Sequence, residues 1–301
     1  MIEAVYGMPP PGLEPTSATA VQVSPLIPAS ARLEDLPEGA LQRFVVAAPA
    51  GALERRYVLA LALRALAPGG LLVALAPKDR GGHRLARELD VFGAAPTSAA
   101  RRHHRICVAR RLDKPAGLAA AIEAGGPQFA ERLGLWSQPG LFSWDRLDTG
   151  TALLKRHVAQ CSGAGADLGA GAGALAVTIL EARAVTSLAL VDIDRRAIDA
   201  ARRNVGDSRA QFLWRDVRDL AGEVRELDFL VMNPPFHRLD RTDLSVSETF
   251  VRTAFEILKK NGVLRMVANV ALPYERLLSA AFSRVAELER AGGFKVLEAV
   301  R

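Results

Sequence analysis

The 301-residue chain is half hydrophobic, enough to fill the cores of two domains, and its 39 Lys and Arg against 33 Asp and Glu leave a net charge of +6. That balance favours a polyanionic partner such as nucleic acid. Two cysteines far apart, Cys107 and Cys161, form no CxxC pair, so neither a disulfide framework nor a zinc site is signalled and a cytoplasmic setting is expected.

The amino terminus lacks the basic flank and apolar block of a secretion signal. Residues 1–40 are rich in Pro, Ser and Ala and predict a loosely ordered or surface-draped arm, in which Val21 to Ile27 can add an edge strand. From 41 to 112 the chain alternates: strand Arg43–Ala48, helix Leu53–Leu66, strand Leu71–Ala76, helix His83–Phe92 and strand Ile106–Ala109. This alternation predicts a small α/β domain with parallel pairing. The long apolar stretch Tyr57 to Ala76 contains Arg64 and Pro68-Gly69-Gly70, so it reads as helix, turn and strand instead of a membrane span. Residues 113–140, broken by Gly125-Gly126-Pro127, are expected to link this domain to a second one at 141–301.

The densest basic tract comprises Arg101, Arg102 and Arg105, followed by Arg110, Arg111 and Lys114. It reads either as a solvated face or as a phosphate-binding patch. His103 and His104 are not read as a metal site, because neighbours on a strand point to opposite faces and no carboxylate stands beside them.

The second domain opens with Phe142-Ser143-Trp144-Asp145-Arg146-Leu147-Asp148-Thr149-Gly150, leading into a helix over 151–158. A strand then runs into Asp167-Leu168-Gly169-Ala170-Gly171-Ala172-Gly173 and a helix from Ala174 to Leu180, so glycines let a ligand approach a helix amino terminus. The next strand, Leu188–Val191, ends at Asp192, where an acid can accept both hydroxyls of a ribose. Asp194 is expected instead to cap the helix Arg195–Asn204. Strand Ala210–Trp214 ends at Asp216, a suitable acceptor for the amino group of adenine.

A fourth strand, from Phe229 to Met232, stops abruptly in Asn233-Pro234-Pro235-Phe236-His237 because proline cannot continue a central ladder. The Asn233 side-chain oxygen and the Pro234 carbonyl offer two acceptors, and Phe236 a flat apolar face. Together they suit a planar amine; the same residues also read as a plain turn. A helix Val246–Lys259, a strand Val263–Ala268, a helix within Leu272–Phe282 and a hairpin of Arg284–Arg290 with Phe294–Val300 complete the sheet.

These motifs resemble those of class I S-adenosylmethionine-dependent methyltransferases. With Phe142-Ser143, Leu147-Asp148, Gly150, Asn233-Pro234-Pro235-Phe236-His237, Val267-Ala268-Asn269 and Leu272-Pro273-Tyr274, the chain is similar to bacterial ribosomal RNA guanine-N2 methyltransferases of the RsmC/RlmG type. The resemblance implies a Rossmann-like, mostly parallel seven-stranded sheet with a carboxyl-terminal antiparallel hairpin, preceded by a degenerate copy of that fold at 41–112. It implies that Gly169, Gly171 and Gly173, with Asp167, hold the methionine end of S-adenosylmethionine, Asp192 its ribose and Asp216 its adenine. Asp148 and Gly150 would close the methionine pocket, and Asn233, Pro234 and Phe236 would clamp a guanine of ribosomal RNA, more in keeping with 16S, in a monomer needing no metal. Arg238 stands where the family usually has glycine, and the loop at Gly206 is short. Asn-Pro-Pro also serves adenine-N6 and glutamine-N5 methyl transfer, and a non-catalytic RNA-binding protein that kept the fold is the rival of another class.

Overall fold

The structure, a computed structural model, describes residues 2–235 and 241–301. The chain divides into two compact units, Met1–Pro127 with Gln138–Gly140, and Gln128–Ser137 with Leu141–Arg301. The 113–140 segment, expected as a linker, is therefore shared between them and carries structure of its own.

The first unit contains β1 (Glu3–Tyr6), β2 (Val21–Gln22), β3 (Leu41–Ala47), α1 (Ala52–Ala65), β4 (Leu66–Pro77), α2 (Leu85–Val91), β5 (Thr97–Arg101), β6 (His104–Arg110) and α3 (Leu118–Gly125). Its sheet runs β2-β1-β3-β4-β6-β5. All four residues of β1 are buried and lie parallel to β3, with Ala4 opposite Phe44, so the start of the expected arm is a strand of the sheet. The edge strand foreseen near Val21 is β2.

Pairing in this sheet departs from the all-parallel expectation, because β6 is antiparallel to both β4 and β5. Strands β5 and β6 are joined through Arg102 and His103, whose φ angles are +45° and +60°. Such a two-residue turn returns the chain antiparallel, and it escaped the sequence reading because glycine or asparagine usually occupies these positions.

Under this sheet lies a buried ion pair. The Arg55 guanidinium donates to both carboxylate oxygens of Glu88, at 2.5 and 2.7 Å, and to the carbonyls of Pro49 and Ala50 at 3.1 and 2.7 Å. Four acceptors replace the water that the guanidinium lost on burial.

The second unit contains β7 (Gln128–Ala130), β8 (Leu135–Ser137), α4 (Thr149–Lys155), β9 (Gly163–Leu168), α5 (Ala174–Ile179), β10 (Val185–Asp192), α6 (Arg195–Asn204), β11 (Ala210–Trp214), β12 (Leu227–Met232), α7 (Arg241–Ile257), β13 (Leu258–Asn269), α8 (Tyr274–Ala281), β14 (Arg284–Ala291) and β15 (Phe294–Val300). Seven strands run β11-β10-β9-β12-β13-β15-β14, parallel except at β15, which is antiparallel to β13 and β14. This is the expected class I methyltransferase sheet with its terminal hairpin.

Strand β12 shows why its sequence is apolar throughout. Leu230 and Met232 enter the core beneath α7 and α8, whereas Phe229 and Val231 enter the one beneath α4, α5 and α6. A strand covered on both faces has no solvent side, so period-two alternation vanishes. Burying each of these side chains contributes about 2 kcal/mol.

Arg55→Ala is expected to leave the buried Glu88 carboxylate with only the more distant Arg56, 3.6 Å away, and to cost about 3 kcal/mol. Chemical denaturation of the full chain, followed by circular dichroism, measures this loss.

Candidate active site at the carboxyl ends of the central strands

Strands β9 and β12 are parallel neighbours in register, Asp167 opposite Val231 and Leu168 opposite Met232. Chain order reverses across this pair, since β10 continues on one side and β13 on the other, and a crevice opens where such a reversal occurs. The loop leaving β9 therefore faces the residues leaving β12.

That loop takes the shape glycine permits. Gly169, Gly171 and Gly173 have φ angles of +77°, +54° and +85°, and Gly173 caps α5. A Cβ at Gly169 would stand 4.0 Å from the Asn233 carbonyl, and one at Gly171 would meet nothing within 4 Å, so open space lies over the middle of the loop. Gly165, within β9, has another reason: a Cβ there would collide with the Phe229 ring.

Asn233 is held through its nitrogen. Its Nδ2 donates to Asp148 Oδ2 at 3.2 Å and to Thr151 Oγ1 at 2.8 Å. A carboxylate only accepts, so the contact with Asp148 fixes which end of the amide is nitrogen. The other end, Oδ1, is buried and has no hydrogen-bond partner among the described residues. Asp148 also caps α4, accepting from the Thr151 backbone N–H at 3.0 Å. Thr151, which the sequence marks only as the start of a helix, thus belongs to the candidate site; no spacing rule links it to a residue 82 positions later. Gly150 packs against the Phe294 ring, leaving no room for a Cβ. Pro234 is buried beside Asn233. Phe236 and His237 lie outside the described residues.

Three acids stand at successive strand ends. Asp167 is buried, and neither carboxyl oxygen has a hydrogen-bond partner among the described residues. Burial, with the nearby charge of Asp192 adding, pushes its pKa up to about 8. Asp192 Oδ2 accepts from Gly171 N–H at 2.9 Å and Oδ1 from Asp194 N–H at 2.8 Å, which ties the acid to the glycine loop. Desolvation outweighs these bonds and raises its pKa to about 6. Asp216 lies two residues beyond the end of β11 with both oxygens engaged by Arg218, which lowers its pKa. Asp194 caps α6, as expected, accepting from Arg196 N–H at 3.0 Å.

The basic tract belongs to the first unit and is not uniform. Arg101, Arg102 and Arg110 are exposed and Arg105 is half-buried. Arg111 departs from the expected phosphate-binding set: it is buried and its Nη2 donates to Glu38 at 3.0 Å, so it serves the unit's own structure. Among the described residues no group of three or more His, Cys, Asp or Glu can hold a metal ion, and no helix is long and apolar enough to cross a membrane.

A family model of the methyltransferase small domain matches residues 132–298, the unit that carries these strand ends. The ribosomal RNA small subunit methyltransferase C of Stutzerimonas stutzeri is 32% identical over 273 residues, covering 88% of this chain and 81% of that protein. The chain belongs to this methyltransferase family. The Pseudomonas aeruginosa LESB58 relative of the same name is 31% identical over 269 residues, again 88% of this chain and 81% of the relative. Among solved structures, a T. thermophilus 16S rRNA N2 methyltransferase in complex with AdoMet and guanosine superimposes with a TM-score of 0.75 at 28% identity, covering 90% of this chain and 76% of that one.

Between the ordinary aspartate value near 4 and the raised values near 6 and 8, the folded chain holds protons that the unfolded chain has released. Stability of the ligand-free protein should therefore fall as pH rises through this window. Both acids contribute to the fall up to about pH 6 and Asp167 alone above it, so Asp167→Asn removes the whole upper part and is expected to stabilise the ligand-free protein at pH 8 by on the order of a few kcal/mol. Melting curves of both proteins from pH 5 to 8.5 check this; parallel curves would show that Asp167 is not the buried acid responsible.

Proposed function

We propose that the chain transfers the methyl group of S-adenosylmethionine to the exocyclic N2 amine of a guanine in 16S ribosomal RNA. The observation that carries this reading is Asn233: its nitrogen is tied down by Asp148 and Thr151, and its oxygen is a buried acceptor without a partner. Leaving a buried acceptor unpaired costs about 1–3 kcal/mol, a cost that an incoming N–H relieves. The names of the similar proteins support the choice of 16S RNA and of guanine N2 over other planar amines.

The cofactor fits the residues present. S-adenosylmethionine bears a sulfonium and an ammonium charge beside a carboxylate, and supplies a methyl group already attached to a good leaving group. Asp167, a buried acid with no hydrogen-bond partner among the described residues, suits a cation; the first-turn N–H groups of α5, which a helix does not itself satisfy, suit the carboxylate. Asp192, held in place by Gly171, is assigned the ribose hydroxyls, and Asp216, whose lone pairs are not exhausted by Arg218, the adenine amine. Asp148 and Gly150 close the methionine end.

Little acid–base help is needed from the protein. Its task is to aim a weakly nucleophilic amine, and acceptance of the two N–H bonds by Asn233 Oδ1 and the Pro234 carbonyl turns the nitrogen lone pair toward the methyl donor. The same acceptors stabilise positive charge as it grows on nitrogen. Phe236 is assigned the stacking of the target base, taken out of its helix. The first unit is assigned RNA binding through Arg101, Arg102, Arg105 and Arg110, and no cofactor. The enzyme acts as a monomer in the cytoplasm without a metal.

Labelled S-adenosylmethionine offered with naked rRNA, 30S and 50S particles, DNA and protein extract should label only small-subunit RNA, and nucleoside analysis should find N2-methylguanosine. Labelled N6-methyladenosine or methylglutamine would overturn the reading. Asn233→Ala should lower kcat by about a hundred-fold or more while cofactor affinity holds within a few-fold. Asp192→Ala should do the reverse, because ribose hydroxyls are bound alike in ground and transition states. Calorimetry of the intact chain should count one cofactor site, and joint replacement of Arg101, Arg102 and Arg105 by Ala should flatten the salt dependence of RNA binding.

A further inference from the structure

Outside the site, the second unit carries an exposed aromatic and cationic face that neither its core nor its crevice explains. Strands β7 and β8 form a two-stranded hairpin in which Phe129 is paired directly opposite Trp136, so both side chains stand on one face. Their rings meet edge to face, with centroids 6.3 Å apart and planes at 76°. Phe129 is nevertheless 46% exposed and Trp136 38%. Helix α6 supplies the cations: the Arg203 guanidinium lies 4.9 Å from the Trp136 ring centroid, and that of Arg202 lies 5.6 Å from the centroid of Phe212 on β11. Arg132, in the hairpin turn, is also exposed.

The platform is rigid. Asn204, the last residue of α6, accepts from Trp136 N–H at 2.8 Å and donates to Trp136 O at 2.8 Å and to Ala172 O, in the glycine loop, at 2.9 Å. The side-chain amide thus continues the hairpin's hydrogen bonding and locks it to the helix, so little ordering is left for a ligand to impose.

We propose that this face binds single-stranded RNA flanking the target nucleotide. The inference rests on the RNA reading above and adds a second contact surface, on the catalytic unit itself. The occupant follows from chemistry. Every base has a π-face to lie on Phe129 or Trp136 whatever its identity, and a guanidinium stacked on an aromatic ring still points its N–H edge outward to a phosphate. Across the face three arginines outnumber the acids Glu131 and Asp199, which favours a polyanion over an acidic or neutral protein surface.

The test uses the full chain with a fluorescent single-stranded RNA oligomer and, separately, small-subunit rRNA as methyl acceptor. Joint Phe129→Ala and Trp136→Ala replacement should weaken oligomer binding and raise KM for rRNA by about ten-fold or more, with cofactor affinity and kcat at saturating RNA unchanged. Trp136→Phe should restore most of the affinity and Trp136→Leu should not, which separates stacking from packing. Arg203→Glu, at an exposed position, should weaken binding with no loss of melting temperature, so the idea stands or falls even if the aromatic variants fold poorly. Unchanged oligomer binding and rRNA KM in these variants would overturn it, as would sedimentation showing that they dissociate a dimer of the parent. A parent that binds the oligomer through Trp136 yet methylates no RNA would keep this face and overturn the substrate instead.

Discussion

Everything in the catalytic unit depends on how β9 and β12 end. They are parallel neighbours drawn from segments about sixty residues apart, and their register places Leu168 beside Met232 as the last strand residues of each. From one strand the chain leaves through left-handed glycines, and from the other through Asn-Pro-Pro, in which proline forbids any further ladder bond. A loop with open space above it and a buried amide acceptor thereby become neighbours with no dedicated scaffold between them. The buried apolar side chains of β12, shared between two cores, hold that register, because a slip of one residue would exchange the two faces.

The site stores cost as well as geometry. Asp167 is an unpaired buried acid, and Asn233 Oδ1 an unpaired buried acceptor. Neither belongs in a fold optimised for stability alone, since each forfeits hydrogen bonds to water without replacement. Their neighbours show how the cost is contained. Asn233 is braced by Asp148 and Thr151, so its unsatisfied oxygen sits on an immobilised side chain, and Asp192, beside Asp167, is held by two backbone N–H groups. Preorganisation of this kind is what lets polar groups act on developing charge without first rearranging.

The first unit makes the contrast plain. Its β3 and α1 repeat the strand-loop-helix step of β9 and α5, but the loop reads Pro49-Ala50-Gly51 and its carbonyls are taken by the Arg55 guanidinium. Gly81 lies so close to that guanidinium that even a Cβ would collide with it. Where the second unit keeps an open loop and lone acids, the first has an internal cation paired with Glu88. The same strand-loop-helix step is thus open in one unit and filled by a guanidinium in the other.

Much of this was legible in the sequence because it rests on local rules. Strand Ala210–Trp214 and helix Arg195–Asn204 fall where periodicity places them, Asp194 caps its helix, and Gly169, Gly171 and Gly173 adopt the positive φ that their spacing suggests. What local rules could not reach needed partners from distant segments. The antiparallel β5–β6 turn hid behind Arg102 and His103, which tolerate positive φ only because the sheet enforces it; β1 became a strand because β3 offered an open edge; Arg111 left the basic tract because it is buried, with its guanidinium donating to Glu38. The sequence alone determined most of the side chains of the candidate site, Thr151 excepted, since glycine, proline and asparagine carry their backbone and hydrogen-bonding habits with them. Only the tertiary structure decided what each would face: Asn233 meets Asp148 and Thr151 from more than eighty residues away, and that contact, which spends the amide nitrogen, is the physical reason its oxygen is left free.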